Sequence, residues 1–538
     1  MLNTAIHWHE SHDGIVSLVI DDPDRSVNTV NSAFIEALAA SVERLELVQD
    51  RIAGVILSSA KKSFLAGGDL NRLMAVDPTG LREFVDDLNV RKSYTQRLEM
   101  LKRPVVAIIN GPALGGGLEL ALCCHRSIGV DSGSTIVGLP EPTLGLIPGA
   151  GGIVRTVRRL GVDQALDSVL LTGRRLPIRE AVDIGLIDDV AASAEAADAA
   201  ARKWILSNPS VAARSATSMP KTPRPLPRPT ATPTRRAIVR VANRSMHTDL
   251  ETALHFESDM FGSVVVSDAT KNSIRTHFFA TNAVRKRAKN LSGLPASKLL
   301  LIPRDESAAD KLKAGSWGEV ADVGESTCAV GNANGPDVNV ALPLMAEGEW
   351  PEMWLAPDFV GDGQRVAEYA AGVSRAGEAA ISTLATAGVV AIPVAPGMGS
   401  FGRILAAALA QAVKDCESLG YGAAAVDRAL AWADLPSRRP PGSQEPFRSS
   451  IQEDVSLACR LLNHIAQAGI DAVASGTLVF PEDADVASVR AGGFPGWTGG
   501  VANWMAHGHR LAMDLYQASE SEFGVKAAVQ PWKRKVDK

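Results

Sequence analysis

Between Met219 and Arg236 the chain reads MPKTPRPLPRPTATPTRR, with six prolines, five basic residues and no acid. No helix or central strand can run through such a stretch, because each proline lacks an N–H and clashes with helical geometry. The 538 residues therefore cannot form one continuous layer of structure. At roughly 150 residues per domain the length itself suggests three to four domains. The proline-dense segment is expected to be an extended, semi-rigid spacer. A peptide ligand for a proline-recognising partner is the alternative reading.

Before that break, short apolar runs alternate with helical patterns. Gly14–Ile20, Ile52–Leu57, Pro104–Ile109 and Ser127–Val130 read as buried strands. Ser32 is placed to cap a helix whose apolar positions are Phe34, Ile35, Leu38, Val42 and Leu45. This alternation predicts an α/β domain. Beyond the break, Leu250 to about Lys289 reads as helix and Lys298–Ile302 as a strand. Irregular α/β character continues to about Pro396. A helix with Ile404, Leu405, Ala408, Leu409, Ala412 and Val413 on one face stops at Gly420. After the loop SRRPPGSQEP, helices are expected from about Ser450 to Ala468 and from about Trp504 to Glu522. The tail thus holds two weakly similar helical units.

Composition removes several classes of function. Apolar residues make up 46% and charged residues 21%, so wholesale disorder is excluded. A net charge of −5 argues against a dedicated nucleic-acid binder. The five cysteines contain no CxxC pair, and buried reduced thiols are the expected state. The most apolar stretch, about Gly388 to Val413, is broken by Pro393, Pro396, Gly397, Gly399 and Arg403, so no membrane span is expected. The start MLNTAIHWHE has no secretory pattern, and the expected location is cytoplasmic. His7, His9 and His12, and separately His507 and His509, have metal-like spacing but no acidic or cysteine partner set beside them at ligand spacing, so no metal is expected.

Chemistry concentrates in three segments. In NGPALGGGLELALCC (Asn110–Cys124) three glycines lead straight into an apolar helix. Glycine permits close backbone approach, and a helix start offers unpaired N–H groups, which together suit an oxyanion hole. Glu119 falls in the first turn of that helix; its bland reading is a carboxylate that complements the helix dipole. Glu141 lies between Pro140 and Pro142 in GLPEPTLGLIPGAGG, where desolvation would raise its pKa; its bland reading is an exposed turn residue. In SFLAGGDL (Ser63–Leu70), Gly67 and Gly68 can present a further N–H. Two donors and two glutamates suggest acyl-thioester chemistry, with the donors holding the thioester oxygen as an enolate forms.

These segments, in this order and spacing, resemble the crotonase (enoyl-CoA hydratase/isomerase) superfamily over roughly residues 10–190, together with SVNTVN (Ser26–Asn31). The resemblance implies a ββα-spiral α/β domain. It places the oxyanion N–H groups on Gly68 and Gly116 and the catalytic pair on Glu119 and Glu141. By family analogy both carboxyls hold the attacking water, Glu119 activating it and Glu141 supplying the α-carbon proton. Substrate contacts are implied for Ala66, Gly68, Asp69, Leu70, Gly115, Gly116, Pro140 and Gly149, with CoA entering as part of the substrate and no separate cofactor. One departure is local: where the family often has Asp and Arg, this chain has His125 and Ser127.

The wider layout resembles the α-subunit of fatty-acid β-oxidation multienzymes. On that basis residues 1–195 form the hydratase domain, and 196–295 its C-terminal helices, the spacer and a linker helix that includes THFFATNAVRKR. Residues 296–398 form a truncated Rossmann-like remnant, and 399–538 a helical, dehydrogenase-like C-terminal domain. The dinucleotide fingerprint is missing: GNANG (Gly331–Gly335) and GDGQRV (Gly361–Val366) lack its spacing after a good strand. NVALPLM (Asn339–Met345) lacks the family's catalytic His, and GSFGRIL (Gly399–Leu405) lacks its Asn. GGFPGWTGGVANWM (Gly492–Met505) still resembles the family's glycine-rich segment. The expectation is a trans-2-enoyl-CoA hydratase with an inactive dehydrogenase-like half. The rival expectations are isomerisation or another crotonase reaction on an unusual acyl-CoA, an intact bifunctional enzyme, and a non-catalytic scaffold subunit. A thiolase or other β-oxidation partner and a homo-oligomer are implied, with no nucleic acid.

Overall fold

A computed structural model describes residues 5–211, 223–226, 232–290, 329–330, 338–341, 352–356, 366–372, 375–386, 388–436, 451–508 and 510–511. The chain divides into two compact units. The first takes in Met1–Arg228 and Pro233–Ile274, the second Arg275–Val360 and Gln364–Lys538.

The first unit is built on two sheets. The strands β1 (Ile6–Glu10), β2 (Ile15–Ile20), β3 (Gly54–Ser59), β5 (Val105–Ile109), β7 (Arg126–Val130) and β10 (Asp189–Ala191) form a six-stranded sheet in the order β1-β2-β3-β5-β7-β10. Only the β1–β2 pair is antiparallel. Its central strands are buried along their length, which is why they read as continuous apolar runs rather than alternating ones. A smaller sheet, in the order β4-β6-β8-β9, joins Leu65–Ala66, Ala113–Leu114, Ile136–Gly138 and Arg175–Pro177. The helices that matter below are α1 (Ser32–Val48), α2 (Leu70–Ala75), α3 (Leu81–Glu99), α4 (Gly116–Leu122), α5 (Gly152–Leu160), α6 (Val162–Ala165), α7 (Ile178–Asp183), α8 (Ala194–Ser207), α9 (Thr234–Ser245), α10 (Leu250–Val265) and α11 (Asp268–Ile274).

Helix α1 buries Phe34, Leu38, Val42 and Leu45 as its spacing predicts, but its cap is Asn31, not Ser32. The Asn31 side chain accepts the Phe34 N–H at 2.8 Å, which makes Ser32 the first helical residue. Helix α8 covers the large sheet through Ala197, Ala201 and Ile205, packed on Ile15, Ile56, Val106 and Ile128. Small residues one turn apart let helix and sheet approach closely: a methyl added to Gly54 would sit 2.6 Å from Ile205. Of the proline-rich spacer only Pro223–Leu226 and the residues from Thr232 are described. Arg224 there is tied to the first unit by its N–H to Asn243 and by ion pairs to Asp163 and Asp167.

The second unit begins with the turn Arg275–Ala280 and helix α12 (Thr281–Lys289). The continuous helix expected over Leu250–Lys289 is thus three helices and a π-helical turn. Five strands, β11 (Ala329–Val330), β12 (Val338–Ala341), β13 (Glu352–Ala356), β14 (Val366–Ala370) and β15 (Val390–Val394), lie in chain order in one sheet. Among the described strands only β14 and β15, joined by α13 (Arg375–Thr386), pair in parallel. The helices α14 (Phe401–Ser418), α15 (Ala423–Ala433), α16 (Ile451–Ala474) and α17 (Ala484–Arg490) follow. Val501 onward is again helical, as expected, through the last described residues. The Lys298–Ile302 strand, Cys328, GNANG, most of GDGQRV and the SRRPPGSQEP loop lie outside the described residues.

The helical tail is centred on three indoles. Trp497 is 1% exposed and meets Trp432 and Trp504 edge-on, with ring centroids 5.9 and 5.6 Å away. Its indole N–H donates to Ala433 O at 2.8 Å. Trp497→Ala removes the ring, both edge contacts and the donor, so a loss of about 3–5 kcal/mol in urea unfolding of this unit is expected.

Candidate active site

The two glycine turns are brought together by one short parallel pairing. Leu65 lies opposite Ala113 and Ala66 opposite Leu114. Gly68 and Gly116 each follow two residues later, so the register that pairs the strands also sets the two glycines side by side. Gly67 donates to Leu114 O at 3.0 Å, and Val30 donates to Gly67 O at 3.0 Å. The amides of Gly68 and Gly116 enter none of the backbone hydrogen bonds of these loops. At Gly115 the backbone has φ +55°, and an added methyl would lie 2.6 Å from Glu141 Oε1. Only glycine satisfies both constraints.

Glu119 stands in the first turn of α4 and is 3% exposed. Its Oε1 accepts the N–H of Ala150 at 2.7 Å and of Gly152 at 2.8 Å. Its Oε2 lies on the Gly116 side, 4.0 Å from where a methyl on that glycine would be. Burial, then the charge of Glu257, pushes the Glu119 carboxyl up to about 7, against the two amides that favour its ionised form.

Glu141 opens a 3₁₀ turn, Glu141–Leu144, after Pro140. The residue is half-buried, while its Oε2 is buried without a hydrogen-bond partner. Desolvation raises its carboxyl well above the usual range, and the neighbouring charge of Glu119 adds to this. The raised pKa expected from its proline-flanked loop is therefore what the structure gives, and an exposed turn residue is not. The turn closes on Gly145, whose carbonyl accepts the hydroxyls of Thr234 at 2.8 Å and Thr270 at 2.9 Å. Helix α9, which starts in the last residues of the proline-rich segment, and α11 beyond it thus hold the Glu141 turn.

The other expected contacts divide. Ala66 is in the pairing strand β4, and Gly68 has open space around it. Asp69 uses its carboxylate to cap α2, accepting the N–H of Asn71 and Arg72, and Leu70 is the first residue of that helix. Gly149 lies under the Phe261 ring, which a methyl there would meet at 2.7 Å. Phe261 stacks on Phe84, a wall of a hollow of about 380 Å³ that also includes Arg72, Val76 and Asp87. That hollow sits between α2 and α3, not between the two glutamates.

Two buried ion pairs behind the site had no signal in the sequence. Lys92 Nζ meets Glu257 Oε1 at 2.9 Å, and Arg155 meets Glu99 at 2.9 Å. Each joins residues far apart in the chain, and each residue alone reads as a charge on a helix face. The local departure at His125 and Ser127 is absorbed by hydrogen bonds. His125 Nδ1 accepts the Val105 N–H at 3.1 Å, burial holding the ring down to about 4 and so neutral. Ser127 donates through both N–H and Oγ to Asp188. Among the described residues no three His, Cys, Asp or Glu side chains gather as a metal site. No helix among them is long and apolar enough to cross a membrane.

Comparison with known proteins gives the class that this geometry belongs to. The family model for enoyl-CoA hydratase/isomerase matches residues 10–281. The chain belongs to the enoyl-CoA hydratase/isomerase family, the crotonase superfamily. It is 40% identical over 182 residues to the fatty acid oxidation complex subunit alpha of Idiomarina loihiensis, covering 33% of this chain and 25% of that one. It is 32% identical over 308 residues to the subunit of the same name from Shewanella amazonensis, covering 51% and 41%. The chain therefore spans between a quarter and two fifths of these relatives. Among solved structures it is similar to an enoyl-CoA hydratase from Bacillus anthracis, at 27% identity, 51% and 96% coverage and a TM-score of 0.34. An enoyl-CoA hydratase from Mycobacterium avium subsp. paratuberculosis matches at 23% identity, 51% and 95% coverage and a TM-score of 0.37.

The Glu119 environment has a measurable consequence for stability. Between its ordinary value of 4.5 and about 7, the folded carboxyl keeps a proton that the unfolded chain releases. Stability therefore falls as pH rises through that window, by on the order of 2–3 kcal/mol from this group. Glu119→Gln keeps an oxygen acceptor for both amides but cannot titrate. Urea unfolding across pH 4.5–7 should show the variant gaining on the wild type as pH rises.

Proposed function

We propose that the first unit is a trans-2-enoyl-CoA hydratase, adding water across the α,β double bond to give a 3-hydroxyacyl-CoA. The carrying observation is that Glu119 and Glu141 flank one Gly115–Gly116 turn, with a second glycine turn set beside it by strand register. In this reading the thioester oxygen accepts the N–H of Gly68 and Gly116, which hold the negative charge that gathers on it as water attacks. The pair shares one proton at neutral pH, since two adjacent buried carboxyls resist double ionisation. Glu119, its Oε1 already held by two amides, presents Oε2 to the water and accepts its proton as the hydroxyl bonds to Cβ. Glu141 gives its proton to Cα. Proton exchange with solvent then resets the pair, and one water has been consumed. CoA enters as part of the substrate, its adenine and pantetheine lying along Ala66–Leu70.

The same reading takes the second unit as a dehydrogenase-like remnant without turnover. Among the described strands its sheet has a single parallel pair, whereas a dinucleotide fold is built on parallel strands. Where the family resemblance places an active-site Asn, Ser400 and Gly402 instead bond inward to the buried carboxylate of Glu368 on β14. A thiolase-type partner and self-association extend the proposal by likeness to the multienzyme layout.

The test is to mix the full chain with a short 2-enoyl-CoA and NAD+ and follow enoyl absorbance and NADH together. Enoyl loss without NADH is expected, and either Glu119→Gln or Glu141→Gln should slow it by roughly 10²–10⁴-fold. Appearance of NADH would overturn the reading of the second unit. A gain of 2-enoyl absorbance from a 3-enoyl-CoA, with no hydration of the 2-enoyl form, would replace hydration by isomerisation.

A further inference from the structure

The reaction above makes no use of Lys92 or Glu257, yet they are a deeply buried ion pair, 3% and 0% exposed. Their hydrogen bonds are unusually directed. Lys92 Nζ donates to Glu257 Oε1 at 2.9 Å and to Leu254 O at 2.9 Å, both on α10. Glu257 then reaches across to the start of α5. Its Oε1 accepts the N–H of Gly151 at 2.6 Å, and its Oε2 those of Ile153 at 3.1 Å and Val154 at 3.2 Å. The amides on either side of Gly151 point the other way: Ala150 and Gly152 both donate to Glu119 Oε1. The strap from Ala150 to Val154 is thus stretched between two carboxylates, with residues 150 and 152 facing Glu119 and residues 151, 153 and 154 facing Glu257.

Gly151 makes the alternation possible. Its φ of +101° turns successive amides to opposite sides, and a methyl there would lie 1.8 Å from Arg155 Nη1. Arg155 in turn donates to Ala150 O at 3.3 Å and pairs with Glu99. The strap has no slack: moving the amides of Gly151 and Ile153 moves those of Ala150 and Gly152 with them.

We propose that the Lys92–Glu257 ion pair is the positioning device for Glu119, holding the Ala150–Gly152 amides on Oε1 and so leaving Oε2 aimed at the reacting water. This rests on the hydratase reading of the same site. Neither residue touches the substrate; both act through the strap.

The pair also acts through charge. The charged and titratable groups of the surrounding elements are Lys92 and Glu99 on α3, Cys123 at the end of α4, Glu141 on its turn, Arg155 on α5 and Glu257 on α10. Glu257 raises the Glu119 carboxyl and Lys92 lowers it, after burial, the largest cause. The two fields oppose one another at Glu119, that of Glu257 being the larger. Removing one partner therefore moves Glu119 in a direction set by which partner is removed.

That sign reversal is the test. In the full chain, Glu257→Gln leaves the Lys92 cation unopposed and loosens the strap. The acid limb of the kcat–pH profile for a short enoyl-CoA should move down by about one unit, with kcat lowered about tenfold and KM little changed. Lys92→Met should move the limb the opposite way, and Lys92→Met/Glu257→Gln should return it toward the wild type. Glu257→Asp keeps the charge but shortens the reach, so kcat should fall with the limb in place. Carboxyl infrared titration, with Glu119→Gln subtracted, reads the same shifts without any turnover. If the wild type hydrates nothing, the functional reading fails while this titration still decides the positioning role. Should Glu257→Gln not fold, Lys92→Met decides alone. Limbs and infrared midpoints that stay fixed, or that move the same way in both single variants, would overturn the proposal.

Discussion

A carboxylate buried behind a glycine turn must find donors inside the protein, and the way Glu119 finds them organises the site. Its Oε1 takes the amides of Ala150 and Gly152. That requirement fixes the GAGG strap, and the strap fixes where α5 begins. The other edge of the strap needs an acceptor of its own, which is Glu257. A buried anion there needs a cation, which is Lys92. The chain of dependence runs from one catalytic candidate through a backbone strap to an ion pair that spans two helices.

The same logic explains why so much glycine gathers in so few positions. Gly115 faces the Glu141 carboxyl at a distance that excludes any side chain. Gly117, two residues on, would put a methyl 1.8 Å from Leu65 O, so the two glycine turns can lie in register only if this residue is bare. The two turns therefore meet as bare backbone rather than through side chains, as an N–H donor site would require. Glu141 flanks them, on a turn stiffened by Pro140 and Pro142 and held by the hydroxyls of Thr234 and Thr270.

The second unit shows a different use of a buried carboxylate. Glu368 on β14 accepts from the Ser400 hydroxyl and the Gly402 amide at the start of α14. There the acid is consumed in fastening strand to helix, and burial raises it. No orphaned oxygen comparable to Glu141 Oε2 is found beside it among the described residues. The three edge-on indoles, with the Trp497 and Trp504 N–H groups hydrogen-bonded, make the tail a packed helical body.

Much of this was legible in the sequence where the signal is local. The strands of the large sheet, the stripe of α1, the glycine turns and the bracketed Glu141 all follow from periodicity and backbone rules that act over a few residues. The cap of α1 was misplaced by one residue because Asn31 and Ser32 are both good caps, and only the geometry of the preceding turn chooses between them. Leu250–Lys289 reads as one helix because its break, at Val266–Ser267 between α10 and α11, carries no Gly or Pro, and the π-helical turn that follows has no distinct composition. By itself, then, the sequence determined the class of fold of the first unit and, through its family resemblance, marked four candidate positions, Gly68, Gly116, Glu119 and Glu141. The tertiary structure alone decided what surrounds them: Lys92 with Glu257, Arg155 with Glu99, and two threonines, one at the end of the proline-rich segment and one beyond it. The physical reason is that a lone charge or hydroxyl on a helix face looks alike whether it meets water or a partner distant in sequence, and only burial tells the two apart.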